Sequence, residues 1–529
     1  MFKHIFERKN KIKISLFFIL LIAFIFRFYK IDEWLFFGMD QEYEALIIKN
    51  ILTGRHFPLI GVNASDTGFY LGPFFIYAAS LPYALFSGNP IGGALFASLL
   101  GVLTCYFVFL IGKKIFNERI GLLAMFFYAG SFLISFYDRR FWNPTPIPLF
   151  SLFIGYILYQ LAKDKVKYLP WLSFAFGLAV QCHLSILIFL PLIVFILWKK
   201  HHLIHKRLFL FFLAIFIFLQ LPILIFDLRH NFINSRAVVN LLIARNQENK
   251  TYSSLHERSS IFFSAVGRVF WMPFNPDLFL ESGQCKELER YRKNALFEGL
   301  ILISVFIAIF FWWYKEKKKQ HFNLNRFEKS IDLSLKIIIF LFFITLFFVI
   351  FYNRQIFEYY FLYLFPWICF ILGWVVDFIW KKGHGNLVVI PVLILFLVLN
   401  LLTLFTAKFS YSYREKLTII NLVKEMIGDK NYKLEVLGEC TRYGGYRYLF
   451  EYYVGKPVSS YMDSYFDWLY KDDLNKKKPS YIVLLSIIDP RGKKENIAKW
   501  ESVKLTYLKE HRIKEQRNIG NIKIFILSP

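Results

Sequence analysis

Long apolar runs recur along this sequence, and they constrain its fold more than any other feature. A helix needs about 20 mostly apolar residues to cross the hydrocarbon core of a bilayer. The chain has 529 residues, of which 56% are hydrophobic and 20% are aromatic, a composition above that of ordinary soluble domains. The runs therefore predict a polytopic α-helical membrane protein and exclude a water-soluble enzyme.

Short basic segments separate the apolar runs and orient the chain, because cytoplasmic loops collect Lys and Arg. The basic start of the chain precedes an apolar run with no small-residue cleavage site, which predicts a retained anchor and a cytoplasmic N-terminus. Placing the later basic loops on the same side gives about eleven crossings of the cytoplasmic membrane. The predicted spans are 14–30, 91–112, 119–136, 144–162, a short or broken pair within 168–198, 208–226, 297–314, 333–352, 357–380 and 386–406.

This topology divides the chain into a transmembrane domain, residues 1–406, and an extracytoplasmic domain, residues 407–529. Two external loops, 31–90 and 227–296, belong to the first domain. The apolar stretch 72–88 is interpreted as an interfacial helix, because a span there would invert every later basic loop. The tail combines a helical pattern, two short apolar strands and a hairpin signal, NIGN, and so predicts a small α/β fold.

Charge and cysteine usage exclude several classes of function. The formal net charge is +26, but the basic residues form short clusters instead of one stripe, so no nucleic-acid partner is expected. Five scattered cysteines do not form a zinc or iron-sulfur motif, and the tail has no Gly-rich phosphate loop. No cofactor is expected, although a divalent metal is not excluded. Cys285 and Cys440 both lie outside in this topology, but nothing in the sequence brings them together.

Asp40 and Glu44 are the candidate catalytic residues. They lie four residues apart in a segment with helical spacing, so they share one helix face. Two neighbouring carboxylates raise the pKa of one of them, an arrangement suited to taking a proton from an alcohol. The alternative is that Asp40 caps the helix and Glu44 is solvated.

Further polar side chains gather at the predicted outer face. Arg139 and Arg140 oppose the orientation bias there and suggest that a phosphate is bound, the alternative being contact of the pair with lipid phosphates. His183 lies between two short spans, where an ionisable group is a functional candidate, although a single His is also a common packing residue. The remaining candidates for substrate binding are Gln41, Asp138, Asn143, Asp227, Arg229, His230, Arg354, Glu358 and Tyr359.

Five segments in this order resemble the membrane-embedded glycosyltransferases of the GT-C type. The similarity covers roughly residues 10–380 and is to the bacterial family 39 branch, related to protein O-mannosyltransferases and lipid A aminoarabinose transferases. This sequence departs from the pattern at Gln41, where relatives more often show Glu, and at Asp138, where a small polar residue is expected. The segments are MDQEYEALIIKNILTGRHFPLIG, GFYLGPFFIY, FYDRRFWNPTPIP, VQCHLS and FDLRHNFINSRA.

The resemblance implies a sugar donor carried on polyprenyl phosphate and a hydroxyl acceptor on a lipid, glycan or protein, with membrane lipids around the spans. In this family Asp40 looks like the first-loop acid taken to be the catalytic base. Arg139, Arg229, His230 or Arg354 would stabilise the departing phosphate. A transporter or flippase for lipid-linked sugars is an alternative, but transporters tend to place ionisable groups near the bilayer midplane. A non-catalytic envelope scaffold is the other alternative.

Overall fold

A bundle of apolar helices makes up most of the molecule, with a small α/β unit at one end. The computed structural model describes residues 2–64, 68–243, 253–272, 326–382, 385–407, 412–438, 441–465, 478–488 and 494–529, with single positions between 299 and 314. Cys285 and Cys440 both lie outside these residues. The bundle helices are α1 (Phe2–Phe28), α2 (Ile31–Trp34), α3 (Met39–Leu52), α4 (Phe74–Leu85), α5 (Pro90–Ile115), α6 (Glu118–Gly130), α7 (Phe132–Asp138), α8 (Ile147–Ala162), α9 (Leu169–Cys182), α10 (Leu190–Lys200), α11 (Lys206–Arg229), α12 (Ile233–Ile243), α13 (Leu255–Phe270), α14 (Arg326–Phe351), α15 (Phe365–Trp380) and α16 (Gly385–Thr406).

The length and hydropathy of these helices agree with a multi-pass membrane protein. Six helical stretches in the described part are long and apolar enough to cross a membrane: Pro90–Ile115, Leu184–Leu203, Lys206–Arg229, Asp332–Phe351, Glu358–Trp380 and Gly385–Thr406. A seventh span results if α6 and α7, which meet at 69°, count as one broken span. The predicted number of about eleven stays a prediction, and the expected span 297–314 falls almost wholly outside the described residues.

Two breaks in the helices bring polar segments into the protein. At Ser131 the backbone is extended (φ −72°, ψ 120°), and its side chain accepts a hydrogen bond from the Ile134 amide at the start of α7. At His183 the backbone is again extended (φ −161°, ψ 138°), so α9 ends and a short 3-10 turn, Leu184–Phe189, leads into α10. The second break lies inside the region 168–198, where the sequence predicted a short or broken pair.

The α/β unit, called the C-terminal unit below (residues 412–529), begins with α17 (Tyr413–Ile427). This helix ends before Gly428, whose positive φ of 58° is accessible to glycine. The other elements of the unit are β1 (Tyr432–Gly438), α18 (Tyr446–Tyr453), β2 (Ser459–Ser460), β3 (Tyr481–Ile487), α19 (Lys494–Glu510), β4 (Ile513–Ile519) and β5 (Ile522–Leu527). The strands form a mixed sheet in the order β2-β1-β3-β5-β4, with β1 parallel to β2 and β3, and β5 antiparallel to β3 and β4.

The C-terminal unit rests on the loop between α1 and α5. Helix α17 packs against α2, and α18 packs against α3. The Tyr413 hydroxyl donates a hydrogen bond to Asn89 at 3.0 Å, at the start of α5. Helix α4, the predicted interfacial helix, packs against α3, α5 and α9, so this loop lies between the bundle and the C-terminal unit.

Candidate functional site at the loop end of the bundle

Helix α3 presents its two candidate carboxylates in different surroundings. The helix is capped at Gly38, whose amide donates to the Gln41 side chain at 2.9 Å, so Gln41 serves as a capping residue. Asp40 follows in the first helical turn and is exposed. Glu44 lies one turn later and is fully buried. Asp40 is therefore not the cap, and Glu44 is not solvated.

The surroundings of Glu44 favour its neutral form. Burial raises its pKa well above the ordinary 4.5, and the negative charge of Asp40 raises it further. The backbone amide of Asn143 interacts with the same carboxyl group and lowers its pKa, but to a smaller degree. We expect Glu44 to keep its proton at neutral pH, which leaves the negative charge of the pair on Asp40.

Aromatic rings connect α3 to three later segments. The Asp40 carboxylate lies near enough to Tyr359 for the two groups to interact electrostatically. The Tyr359 ring is 4.8 Å from the Trp142 ring and 5.6 Å from the His183 ring, measured between centroids. Residues from four separate segments thus converge at one end of the bundle. We call this group the Asp40 cluster, and its members are Asp40, Glu44, Asn143, His183 and Tyr359.

Hydrogen bonds hold the cluster segments in place. The Asn143 side chain donates to the carbonyl oxygen of Cys182 at 2.6 Å, which ties the residues before α8 to the end of α9. The His183 ring nitrogen Nδ1 lies 2.8 Å from the Ser185 hydroxyl. These contacts hold the segment before α8 against the break at His183, so this part of the cluster is preorganised by the fold.

Two buried arginines adjoin the cluster. Arg268 of α13 donates to the Glu358 carboxylate at 2.6 Å, and the other oxygen of that carboxylate accepts from the Tyr137 hydroxyl at 2.9 Å. The Arg140 guanidinium lies over the rings of Tyr137 and Trp142, at 5.7 and 5.6 Å. Glu358, a sequence candidate, therefore holds a cation beside Tyr359.

Sequence reasoning did not single out Arg268, although a signal was present. It lies seven residues after Ile261 and three after Ala265, and all three side chains are on the buried face of α13. A charged residue at a core position of an amphipathic helix is unusual enough to mark a candidate.

The neighbours of Asp138 and Arg139 lie in the bundle. The Asp138 carboxylate forms a buried ion pair with Arg27 of α1, at 2.7 Å. Arg139 donates to the carbonyl oxygen of Phe26, and its guanidinium lies over the Trp34 ring. These contacts join α1 and α2 to the C-terminal end of α7, and the predicted substrate-binding role of both residues stays a prediction.

The other sequence candidates occupy the ends of α11 and α14. Asp227 accepts hydrogen bonds from the amides of Asn234 and Ser235, at 2.7 and 3.0 Å, and so caps α12. Arg229 and His230 are exposed, with the His230 ring stacked on Phe226 at 4.1 Å. Arg354 is half-buried beyond the end of α14. The roles predicted for these four residues stay predictions.

Metal binding has no ready-made group of ligands in the described ranges, where no three His, Cys, Asp or Glu side chains lie together suitably for an ion. Asp40 and Glu44 are the two carboxylates of the cluster, and the burial that raises the pKa of Glu44 disfavours the charged form that binds a metal. The expectation that the protein needs no cofactor stays a prediction.

Two crystal structures of one protein have the same architecture as this chain. The crystal structure of ArnT from Cupriavidus metallidurans bound to undecaprenyl phosphate matches with a TM-score of 0.59 at 10% identity, over 98% of each chain. The apo form of that protein matches with a TM-score of 0.56. The chain has the GT-C fold. The predicted fold class and the resemblance to GT-C membrane glycosyltransferases are thereby confirmed.

A more distant structure shares the GT-C fold over part of its length. The archaeal oligosaccharyltransferase AglB from Archaeoglobus fulgidus, in complex with an inhibitory peptide and a dolichol-phosphate, matches with a TM-score of 0.50 at 12% identity. The match covers 90% of this chain and 69% of AglB.

Sequence comparison matches the middle of the bundle. Residues 71–226 fit the family model described as dolichyl-phosphate-mannose-protein mannosyltransferase. An uncharacterized protein of Aquifex aeolicus (strain VF5) is 25% identical over 156 residues, which span 29% of this chain and 31% of that protein. The segment matched by the family model contains Asn143 and His183, whereas Asp40 and Glu44 precede it.

Proposed function

We propose that this protein is a glycosyltransferase that moves a sugar from a polyprenyl-phosphate donor to a hydroxyl group of an acceptor. The main support is the convergence of Asp40 and Glu44 with His183, Asn143 and Tyr359 at one end of a GT-C fold. The match of residues 71–226 to a mannosyltransferase family supports the same reaction class. The neighbours ArnT, bound to undecaprenyl phosphate, and AglB, bound to a dolichol-phosphate, support a lipid-linked donor.

Asp40 is the proposed general base. It is exposed in the first turn of α3, where the amide dipoles of the helix favour a negative charge. Its carboxylate would accept the proton of the acceptor hydroxyl while that oxygen attacks the anomeric carbon of the sugar. The bond from the anomeric carbon to the phosphate oxygen breaks, and polyprenyl phosphate leaves with the bonding electrons. One in-line displacement inverts the anomeric configuration.

Guanidinium groups would stabilise the negative charge that develops on the leaving phosphate. Arg140 and Arg268 are the best candidates, because both are buried next to the Asp40 cluster. Arg140 lies over the Trp142 ring, and Arg268 donates to Glu358, the residue before Tyr359. Arginine suits this role since its planar group donates several hydrogen bonds to phosphate oxygens. Removal of one preorganised donor typically costs about 3 kcal/mol, or roughly a hundredfold in rate.

The distribution of lysines supports the orientation that we propose for the protein. Lys113 and Lys200 lie in the last turns of α5 and α10, and Lys381 directly follows α15. These lysines are at the end of the bundle opposite the Asp40 cluster. Because basic residues favour the cytoplasmic side, we assign the cluster and the C-terminal unit to the outer face of the cytoplasmic membrane. The donor would enter from the membrane lipids, and the acceptor is a lipid, a glycan or a protein.

The direct test is the release of undecaprenyl phosphate by purified protein in lipid nanodiscs. Undecaprenyl-phosphate-linked hexoses and pentoses are supplied one at a time with membrane extracts as acceptor. We expect wild-type protein to release the lipid phosphate from one donor and Asp40→Asn to release it at least about a hundredfold more slowly. Asp32→Asn, the same change at the partly exposed partner of Arg414, is the matched control and should stay within about twofold.

Two results would contradict the proposal. Near-normal transfer by Asp40→Asn would remove Asp40 from the base role. Movement of the intact lipid-linked sugar across proteoliposomes, with no release of undecaprenyl phosphate, would instead support the transporter alternative.

A further inference from the structure

The C-terminal unit contacts the helix that carries Asp40. The Tyr448 amide, at the start of α18, donates a hydrogen bond of 2.7 Å to the carboxylate of Glu42. Glu42 lies two residues after Asp40 and is fully buried. Residues two apart on a helix point to nearly opposite sides, so Asp40 can face the cluster while Glu42 faces the C-terminal unit. Arg447 and Lys416 of that unit lie near the same carboxylate.

The backbone just before α3 is held by the same unit. The Lys416 side chain donates to the carbonyl oxygen of Phe37 at 2.7 Å, and the Tyr413 amide donates to the carbonyl oxygen of Leu35 at 3.1 Å. Gly445 packs so closely that a Cβ atom there would lie 2.5 Å from the Phe37 oxygen, and its φ is +67°. Glycine is required at this contact for both reasons.

The last turn of α3 has a charged contact with α18. Lys49 forms an ion pair with Glu451, which also accepts from Arg447 at 2.5 Å. Arg447 lies 3.6 Å from the Asp463 carboxylate. The C-terminal unit therefore contacts α3 at its start, in its first turn and in its last turn.

We propose that the C-terminal unit positions the catalytic carboxylate, and that Glu42 is the positioning residue through which it acts on α3. This inference rests on the proposed function for the role of Asp40, but the docking of the unit on α3 does not. A shift of about 1 Å in a reacting group can cost a hundredfold in rate, so a fixed α3 has direct value for catalysis.

Hydrogen-deuterium exchange of peptides covering Met39–Leu52 tests the docking. Glu42→Ala leaves the buried Tyr448 amide without its acceptor, and we expect α3 amides to exchange about tenfold faster or more. Glu42→Gln keeps an acceptor oxygen and should restore protection to within about twofold. Glu515→Ala on the exposed edge strand β4 is the control and should change nothing. Wild-type protection of α3 in Glu42→Ala would overturn the inference.

The second readout separates positioning from donor binding. In the undecaprenyl phosphate release assay, Glu42→Ala should lower kcat about tenfold or more and leave the KM for the lipid-linked sugar within about twofold. Glu42→Gln should recover most of kcat. A raised KM with unchanged kcat would contradict a positioning role. If no supplied donor is turned over by wild-type protein, the proposed function fails, whereas the exchange measurement still decides whether Glu42 holds α3.

Discussion

The two ends of the helical bundle use charge in opposite ways. At the end with the Asp40 cluster, the ion pair of Arg268 and Glu358 has side-chain exposures of 0% and 1% and joins segments 90 residues apart. At the lysine end, the pair of Lys113 and Glu118 has exposures of 50% and 20% and spans five residues. Because burying an ion pair costs about as much as it contributes, stability alone does not explain the first kind. The Arg268 and Glu358 pair lies directly before Tyr359 of the Asp40 cluster, which supports a site at this end of the bundle.

The largest effect on stability is expected where a buried pair is broken. Arg268→Ala leaves the Glu358 carboxylate buried with the Tyr137 hydroxyl but without the cation. We expect a loss of about 3–5 kcal/mol in the free energy of unfolding. Titration of the protein with sodium dodecyl sulfate in mixed micelles measures this free energy of unfolding. Glu358→Gln in the Arg268→Ala background removes the buried charge and should restore part of the loss. A loss below about 1 kcal/mol would remove the distinction between the two ends.

The docking of α3 is expected to depend on pH. Burial raises the pKa of Glu42 from 4.5 to about 7, opposed by the Tyr448 amide, Arg447 and Lys416, while Tyr461 also faces the carboxyl. The folded state thus binds the proton more tightly than the unfolded state. The stabilisation of the folded state by the protonated Glu42 is complete below pH 4.5. It is lost as the pH rises to about 7, and the total loss is about 3 kcal/mol.

Exchange of α3 amides between pH 5 and 8, corrected for intrinsic exchange, measures this dependence. The opening free energy should fall with rising pH in wild-type protein and stay flat in Glu42→Gln. Equal slopes in the two proteins would assign the dependence to another group.

The two carboxylates of α3 should respond unequally to neutralisation. Burial and the charge of Asp40 raise the pKa of Glu44, which favours its neutral form. Glu44→Gln mimics that neutral form, so we expect the release of undecaprenyl phosphate to fall by at most about tenfold, against a hundredfold or more for Asp40→Asn. If Glu44→Gln is as inactive as Asp40→Asn, Glu44 is charged in the reacting enzyme and shares the base role.

The smallest effect is expected at the lysine end. Lys113→Ala removes one partner of an exposed pair, which we expect to change the free energy of unfolding by about 0.2–1 kcal/mol. The same detergent titration measures it. A loss as large as that of Arg268→Ala would show that exposure does not separate the two ends.

Local patterns in the sequence predicted much of the fold. The apolar runs gave the multi-pass helical class, and helical spacing placed Asp40 and Glu44 on one helix. The hairpin of β4 and β5 follows from the NIGN turn signal between the two strands. Such features depend on residues close in sequence, which is why one sequence is sufficient to predict them.

Long-range pairing was not predictable in the same way. Glu42 meets the Tyr448 amide across 406 residues, and Asp138 meets Arg27 across 111. No periodicity encodes such partners, so the sequence did not distinguish a carboxylate engaged by another helix from one that faces a substrate. The break at His183, in contrast, agrees with the short length available for two spans, because chain length limits helices directly.

A structure of the protein in nanodiscs with undecaprenyl phosphate would show where the lipid phosphate binds. We expect the phosphate to lie at the cluster end, within about 3 Å of donors on Arg140 or Arg268, in a cavity that Asp40, His183 and Tyr359 also face. A phosphate bound at the lysine end, or an Asp40 carboxylate turned away from the bound phosphate, would contradict this expectation.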